Sequence, residues 1–148
     1  MTQISRADIV AAARDWIGTP YRHQACCKNA GTDCLGLIRG LWAELYGSLP
    51  ELPPPYSPDW AERAGRETLY AAAARHMVEK PLSAAKPGDM LLFRMAANSP
   101  VKHAAIISAP DKIIHAYWAR AVTESFLIPY WQRRRAYAFS FPNLTDPT

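Results

Sequence analysis

The sequence predicts an α+β fold in which N-terminal helices pack on a small antiparallel β-sheet. Two observations carry this prediction. Apolar residues recur at helical spacing before residue 47, and short β-rich runs follow residue 86. The 148 residues, 49% of them hydrophobic, suffice for one domain with its own core. We therefore expect a single domain over residues 1–148, with residues 142–148 as a frayed tail.

The first helix is predicted within residues 1–18, MTQISRADIVAAARDWIG. Ser5 and Asp8 have the spacing of a capping box, in which each side chain accepts a hydrogen bond from the other residue's backbone N–H. The segment has neither the basic start nor the continuous apolar stretch of a secretory signal, so we expect synthesis in the cytoplasm without a signal peptide. Its apolar residues lie at helical intervals and give the helix one face to bury: Ile9, Val10, Ala13, Trp16 and Ile17.

A second, buried helix is predicted from DCLGLIRGLWAELYG, residues 33–47, after a loop punctuated by Gly and Pro. Thr32 or Asp33 is placed to cap this helix, and Gly47 is placed to end it. Cys34 therefore falls in the first turn. Free backbone N–H groups at a helix N-terminus favour a thiolate, so this position is worth testing as a site of chemistry.

The middle of the chain changes character twice. Residues 48–60, SLPELPPPYSPDW, are rich in proline and predict an extended, semi-rigid segment on the surface. Residues 61–80, AERAGRETLYAAAARHMVEK, return to a helix-forming composition. A helix is predicted there, ended by Pro81.

The second half of the chain predicts strands separated by Asn-Ser-Pro, Ala-Pro-Asp and Pro-Tyr turns. A hairpin through Ala-Pro-Asp-Lys would bring His103 and His115 side by side on one face of the sheet. The predicted strands lie in the runs DMLLFRM, HAAIISA, KIIHAYW, AVTESFLI and RAYAFSF.

Composition narrows the class of protein. The formal net charge of +4 suits an anionic partner, such as a nucleic acid or a cell-wall polymer, without choosing between them. No apolar run approaches the roughly 18 residues of a membrane span, so no membrane insertion is expected.

The three cysteines are an odd number in one short segment, which argues against a disulfide scaffold. Cys26 and Cys27 are adjacent rather than spaced as zinc ligands, so no metal site is expected.

Cys34, His103 and His115 are the candidates for nucleophilic catalysis. A cysteine nucleophile needs a base to take its proton, and the base needs a third group to orient its ring. Residue types and spacing alone leave the structural alternative open. Cys34 could be a small buried apolar residue, and each histidine could be a strand residue satisfied by backbone partners.

Other candidates have a weaker case. His23 flanks the loop before the second helix, and His76 is expected on a helix surface. Cys26 and Cys27 have no evident catalytic partner. The basic run Arg133–Arg135 is expected to be a solvated turn, with an anionic glycan or partner as the alternative. Three aromatic residues could either wall a groove or pack in the core: Trp118, Tyr130 and Trp131.

Three blocks, read in order, resemble the NlpC family of papain-like cell-wall cysteine peptidases. They are TPYRHQ…GTDCLGLIRGLW, KPGDMLLFR and HAAIISAPDKIIHAY, and they span about residues 8 to 118. The family pattern has T-P-Y, then D-C-x-G at a helix start, P-G-D before a strand, and two strands that carry histidines. The resemblance implies a papain-like α+β fold and hydrolysis without a metal or organic cofactor.

Carried over residue by residue, the resemblance makes Cys34 the nucleophile, His103 the general base and His115 the orienting third member. It also places Tyr21 near the oxyanion or the substrate, and the backbone N–H of Cys34 is a candidate oxyanion donor. Leu35 departs from the family, which usually has serine after the cysteine. Recognition of the peptide's amino side is the property that this departure affects.

One branch of the family, found in phage tails and gene transfer agents, is the most similar to this sequence. The similarity lies in the HQ of TPYRHQ, in DCLGL at the start of the second helix, and in the proline-rich segment. The resemblance therefore implies peptidoglycan stem peptides as substrate, tail or baseplate proteins as partners, and no nucleic-acid binding. It implies a location in a virion or particle tail that acts on the cell wall. Two other readings stay open, a structural tail-tip adaptor and a cytosolic amidase or acyltransferase on the same scaffold.

Overall fold

The computed structural model describes residues 3–48, 67–117 and 119–148. Its helices are α1 Arg6–Arg14, α2 Cys34–Tyr46, α3 Thr68–His76 and α4 Pro129–Gln132, with a 3₁₀ turn at Leu82–Ala84. Its strands are β1 Cys26–Cys27, β2 Gly31–Thr32, β3 Val78–Lys80, β4 Met90–Phe93, β5 His103–Ala109, β6 Lys112–His115, β7 Thr123–Phe126 and β8 Arg135–Ser140. The α+β class predicted from the sequence is confirmed.

Six strands form one antiparallel sheet in the spatial order β3-β8-β4-β5-β6-β7. The five strands predicted from the β-rich runs are all present. The helix predicted up to Pro81 is wrong at its end, because α3 stops at His76 and Val78–Lys80 forms the edge strand β3. Val78 pairs with Ser140 of β8, so pairing with a distant strand overrides the local helical preference.

Alternate residues of the strands face opposite sides of the sheet. One side packs against the helices and forms the larger core cluster, which includes Met90, Leu92, Ile106, Ile114 and Phe139. The other side forms a smaller cluster, which includes Leu91, Phe93, Ile107, Ile113 and Trp131. The register places the side chains of His103 and His115 on this second side.

The ends of the first two helices match their local sequence signals. Ser5 accepts from the Asp8 N–H at 3.1 Å and donates its own N–H to the Asp8 carboxylate at 2.9 Å, which confirms the capping box. Gly47 ends α2 in the left-handed conformation, with a φ of 83°. A side chain at Gly40 would place its Cβ 2.2 Å from the buried ring of Trp16. Glycine there lets α2 approach the segment that follows α1.

The C-terminal residues 142–148 are docked, so the expectation of a frayed tail is wrong. Leu144 forms a parallel bridge with Ile4, and Arg6 donates its backbone N–H to the Asp146 carboxylate at 2.8 Å. The Arg6 Nε also donates to the Asp146 carbonyl at 2.8 Å. These bonds satisfy polar groups of the tail that water would otherwise solvate, and they hold it against the start of α1.

A buried ion cluster lies where α1 meets the sheet. The Asp89 carboxylate accepts from Arg6 at 2.6 Å, from Lys80 at 2.8 Å and from the Ser140 hydroxyl at 2.7 Å. Burial alone would raise the pKa of Asp89, but these hydrogen bonds hold the pKa below its ordinary value of 3.8. Asp89 therefore stays ionised and joins α1, β3 and β8.

Replacing Asp89 by asparagine should lower the free energy of unfolding by about 3–5 kcal/mol, because Arg6 and Lys80 would lose their buried counter-charge. Chemical unfolding monitored by circular dichroism measures this loss. The control is Arg14→Gln, which breaks the more exposed pair with Glu124 at 3.2 Å and should cost under about 1 kcal/mol. Equal losses in the two variants would contradict the structural role of the cluster.

Three sequence expectations fall outside the described residues. They are the extended proline-rich segment, the start of the helix predicted over residues 61–80, and the position of Trp118. Within the described part of the chain, no helix has the length and apolar character needed to cross a bilayer.

Candidate active site

The loop before α2 fixes the position of Cys34. Asp33 is the N-cap of α2, and its carboxylate accepts the Gly36 N–H at 2.7 Å. The same carboxylate accepts the N–H of Gln24 at 2.8 Å, with Gln24 in the left-handed region at a φ of 62°. One buried side chain thus ties the loop to the helix start and makes Cys34 the first helical residue. Of the two capping residues that the sequence allows, the structure selects Asp33.

Gly36 lets this loop press directly on α2. A Cβ at Gly36 would lie 1.9 Å from the backbone oxygen of Ala25, a distance that no side chain tolerates. Cys26–Cys27 pairs with Gly31–Thr32 to form a small two-stranded hairpin within the same loop. The loop therefore has a defined shape around the thiol.

The Cys34 sulfur lies beside the start of β5. It is 3.7 Å from the carbonyl oxygen of Lys102, and the backbone N–H of Ala104 also contacts it. Lys102 and Ala104 are the residues on either side of His103. This arrangement brings the thiol against the strand segment that carries the predicted base.

The thiol is protonated in the free protein. Burial and the neighbouring Asp33 carboxylate raise the pKa of Cys34 to about 12. The backbone N–H groups of Ala104, Leu35 and Cys34 lower the pKa, as expected at a helix N-terminus, but burial and Asp33 outweigh them. The sequence-based expectation that the helix N-terminus makes Cys34 a thiolate is therefore wrong. The helix start does lower the pKa, but burial and Asp33 raise it by more. A proton acceptor must act when the sulfur reacts.

The structure brings His103 and His115 together. His103 Nε2 lies 2.8 Å from His115 Nδ1, and His115 Nε2 lies 3.3 Å from the hydroxyl oxygen of Ser125. His103 opens β5 and His115 closes β6, so the hairpin between them sets their separation. His103 Nε2 is engaged in this pair, and its Nδ1 is the ring nitrogen that lies outside it.

Aromatic side chains enclose the two histidines. Trp131 stacks on His103 with ring centroids 5.1 Å apart and meets the His115 ring edge-on at 4.9 Å. Phe93 and Tyr117 each lie 5.5 Å from the His103 ring. Burial and the neighbouring His115 lower the pKa of His103 well below 6.5, and burial lowers the pKa of His115 to about 4. Both imidazoles are therefore neutral at physiological pH.

Tyr21 lies near the thiol, where the family resemblance implies it. It bridges to Thr32, the residue before the N-cap. Burial, followed by the Asp33 and Cys34 charges, raises the pKa of Tyr21 to about 12. Its phenol is therefore a hydrogen-bond donor at any physiological pH. His23 Nδ1 lies 3.9 Å from the Asp33 carboxylate, at the edge of the same loop.

Other sequence candidates lie elsewhere or have a different role. His76 packs edge-on against Trp42, with ring centroids 6.4 Å apart. Cys26 and Cys27 are free thiols in the loop hairpin. Trp131 is buried against the histidine pair, so it serves as packing for the site and does not wall an open groove.

Ser125 is a site residue that sequence reasoning misses. It lies on β7, where Ile113 is its direct partner on β6 and His115 lies diagonally across. A serine in a short strand is a weak signal by itself. The pairing register of two adjacent strands was needed to connect Ser125 with His115.

A thiol at a helix N-terminus, in contact with the backbone at the start of an antiparallel strand that begins with a histidine, matches the arrangement of a papain-like domain. The chain belongs to the NlpC/P60 family, whose model matches residues 18–139. Within that range lie Cys34, His103, His115 and Ser125. The resemblance noted in the sequence is confirmed at the level of the family.

Solved structures share the fold. The NlpC/p60 domain of the peptidoglycan hydrolase SagA has a TM-score of 0.69 at 22% identity, covering 93% of this chain and all of that one. An NlpC/P60 family protein from Bacillus cereus ATCC 10987 has a TM-score of 0.68 at 19% identity, covering 95% of this chain and 41% of that one.

A curated relative is the gamma-DL-glutamyl hydrolase of Bacillus subtilis strain 168, 27% identical over 142 residues. The alignment covers 94% of this chain and 30% of the hydrolase. The chain therefore spans less than a third of that relative's length.

Proposed function

We propose that the protein is a cysteine peptidase that hydrolyses amide bonds in the stem peptides of peptidoglycan. The observation that carries the proposal is the chain of contacts from the Cys34 sulfur, through the β5 start, to the 2.8 Å pair of His103 and His115. A half-buried thiol that contacts the strand start carrying one of two linked, neutral imidazoles suits nucleophilic catalysis. SagA, a peptidoglycan hydrolase, and the B. subtilis glutamyl hydrolase support this substrate class.

In the proposed mechanism, His103 Nδ1 takes the Cys34 proton as the sulfur attacks the carbonyl carbon of the amide. The C–N bond then breaks, and His103 gives that proton to the leaving amine. A water molecule, deprotonated by His103, attacks the thioester. The C–S bond then breaks, the acyl group leaves as a carboxylic acid, and His103 returns the proton to the sulfur, which restores the thiol.

The developing oxyanion needs donors that are already in place. The backbone N–H groups of Cys34 and Leu35, at the free end of α2, contact the sulfur and face the same region. The protonated Tyr21 phenol is the side-chain donor on the loop side. Leu35 stands where the family usually has serine. This change alters the side chain and leaves the backbone N–H of residue 35 as a donor.

Digestion of purified peptidoglycan tests this proposal. The native protein should release new amino and carboxyl termini within stem peptides, which mass spectrometry identifies. The Cys34→Ala variant is the blank. Identical products from both proteins, or none from either, would reject the peptidase; transfer of an acyl group to an added amine, without hydrolysis, would support an acyltransferase.

The neutral histidines predict the pH dependence of this reaction. Because the pKa of His103 lies well below 6.5, the base stays deprotonated in mild acid, and kcat/KM should remain constant from about pH 8 to about pH 6. Activity should fall only below that range, as His103 takes up a proton. Protonation of buried histidines also destabilises the fold, so thermal unfolding is measured at each pH. An acid limb centred at or above pH 6.5 would contradict the buried, neutral pair.

Ser125 should position His115. When the Ser125 oxygen accepts from His115 Nε2–H, the His115 Nδ1 is free to accept from His103, which keeps His103 Nδ1 unprotonated. Ser125→Ala should therefore lower kcat by about 3- to 10-fold with little change in KM, and Ser125→Thr should restore it. Equal losses in kcat for alanine and threonine, or a loss confined to KM, would remove this role.

We also propose that the protein acts as a tail or baseplate component of a phage-like particle that aids passage through the cell wall. Support comes from the sequence resemblance in TPYRHQ, DCLGL and the proline-rich segment. Mass spectrometry of purified particles should find a few copies of the chain. Particles that lack it should attach to cells but deliver DNA poorly. Absence from particles would reject this location and leave the peptidase proposal standing.

A further inference from the structure

A basic cavity lies where β4 ends and β8 begins. It has a volume of about 530 Å³ and is lined by Arg94, Tyr137 and all three residues of the run Arg133–Arg135. Sequence alone favours a solvated turn for this run. In the structure Arg134 and Arg135 are half-buried in the cavity wall. We call this cavity the arginine pocket.

The guanidinium groups of Arg134 and Arg135 in the arginine pocket are held in place. Arg134 stacks on Tyr130 at 3.6 Å and donates to the Tyr130 carbonyl at 2.8 Å, and Arg135 Nε donates to the Gln132 carbonyl at 3.1 Å. These contacts leave other N–H donors of each group available. A fixed, planar guanidinium loses little entropy when it binds an anion.

The arginine pocket carries excess positive charge. Arg94 pairs with the Glu67 carboxylate at 3.1 Å. Across residues 3–48, 67–117 and 119–148, no carboxylate lies in salt-bridge contact with Arg133, Arg134 or Arg135. Three cationic groups therefore surround one cavity and favour a negatively charged ligand.

Strand pairing connects the arginine pocket to the catalytic residues. Phe93 of β4 pairs with His103 on one side and with Arg135 on the other. Arg94 is the next residue, about 3.3 Å further along the strand direction. Trp131, which stacks on His103, lies two residues before Arg133 in the chain. The pocket therefore lies where β4 ends and β8 begins, one strand away from the start of β5 that carries the proposed base.

We propose that the arginine pocket binds a free carboxylate of the substrate peptide, on a residue that flanks the bond attacked by Cys34. This proposal rests on the peptidase function proposed above and names a determinant of its specificity. Guanidinium groups match carboxylates in shape and charge and bind them through paired hydrogen bonds. The positive charge of the arginine pocket should therefore favour a stem peptide with free carboxyl groups over one whose carboxyl groups are amidated.

The test compares two synthetic stem peptides of one sequence, one with free carboxyl groups and one with those groups amidated. The native protein should show a lower KM for the free acid. Arg133→Gln and Arg135→Gln should each raise this KM about tenfold, with little change in kcat and none for the amidated peptide. Arg75→Gln, which removes an exposed arginine of α3 outside the pocket, is the matched control and should leave both peptides unaffected.

Equal effects on the two peptides, or no effect on either, would overturn the carboxylate subsite. If the native protein cleaves neither peptide, the peptidase proposal fails separately. Calorimetry of the two peptides binding to the Cys34→Ala variant then still tests whether the arginine pocket binds a carboxylate. If the Cys34→Ala protein binds the free acid more tightly than the amidated peptide, and adding Arg133→Gln and Arg135→Gln removes this preference, the carboxylate subsite is supported. Equal affinity of the Cys34→Ala protein for the two peptides contradicts the subsite.

Discussion

Replacing Cys34 by alanine should reduce hydrolysis of stem peptides by at least about 10⁴-fold, because it removes the proposed nucleophile, whose sulfur contacts the backbone beside His103. The substitution removes one sulfur atom at the α2 start and leaves the Asp33 cap in place. The fold should therefore persist, as circular dichroism and the unfolding temperature would show. Initial rates on a defined peptide measure the loss.

The matched control is Cys27→Ala, which removes an exposed thiol from the loop hairpin of the same segment. Its activity should equal that of the native protein. If Cys34→Ala retains more than a small fraction of native activity, or if Cys27→Ala loses as much, the nucleophile lies elsewhere.

His103 and His115 should differ in the size of their effects. His103→Ala removes the only proposed proton acceptor and should lower kcat by about 10²- to 10⁴-fold. His115→Ala removes the group that orients His103 through the 2.8 Å contact, and it should leave a measurable remnant of activity. Steady-state kinetics of the two variants give the order of the effects.

His76→Ala is the control for histidine loss, since His76 closes α3 and packs against Trp42 of α2. It should retain native kcat. A larger defect in His115→Ala than in His103→Ala would mean that the two roles are exchanged. Native rates in both would rule out the triad.

Local signals account for the parts of the fold that the sequence predicts. Ser5 with Asp8, and Gly47 at a helix end, act within a few residues, so their motifs are visible in one short window. The strand β3 and the docked C-terminus depend on partners far along the chain. Val78 pairs with Ser140, and Arg6 bonds to Asp146, which no local pattern discloses.

The candidate site likewise has parts that the local sequence predicts and parts that depend on distant contacts. Cys34 at a capped helix start and two histidines joined by one hairpin were predictable, because each depends on nearby residues. The contact of Ser125 required the register between β6 and β7. The pKa of Cys34 was predicted in the wrong direction, because burial sums over the whole fold while the helix N-terminus acts locally.

The central claim is that Cys34 forms a covalent acyl intermediate with a stem peptide. An activated p-nitrophenyl ester of such a peptide acylates faster than it hydrolyses, so the intermediate should accumulate. We expect a burst of about one p-nitrophenol per protein molecule and a matching gain in intact mass, mapped by peptide sequencing to Cys34. Turnover without a burst, or an adduct located on Cys26 or Cys27, would contradict the account.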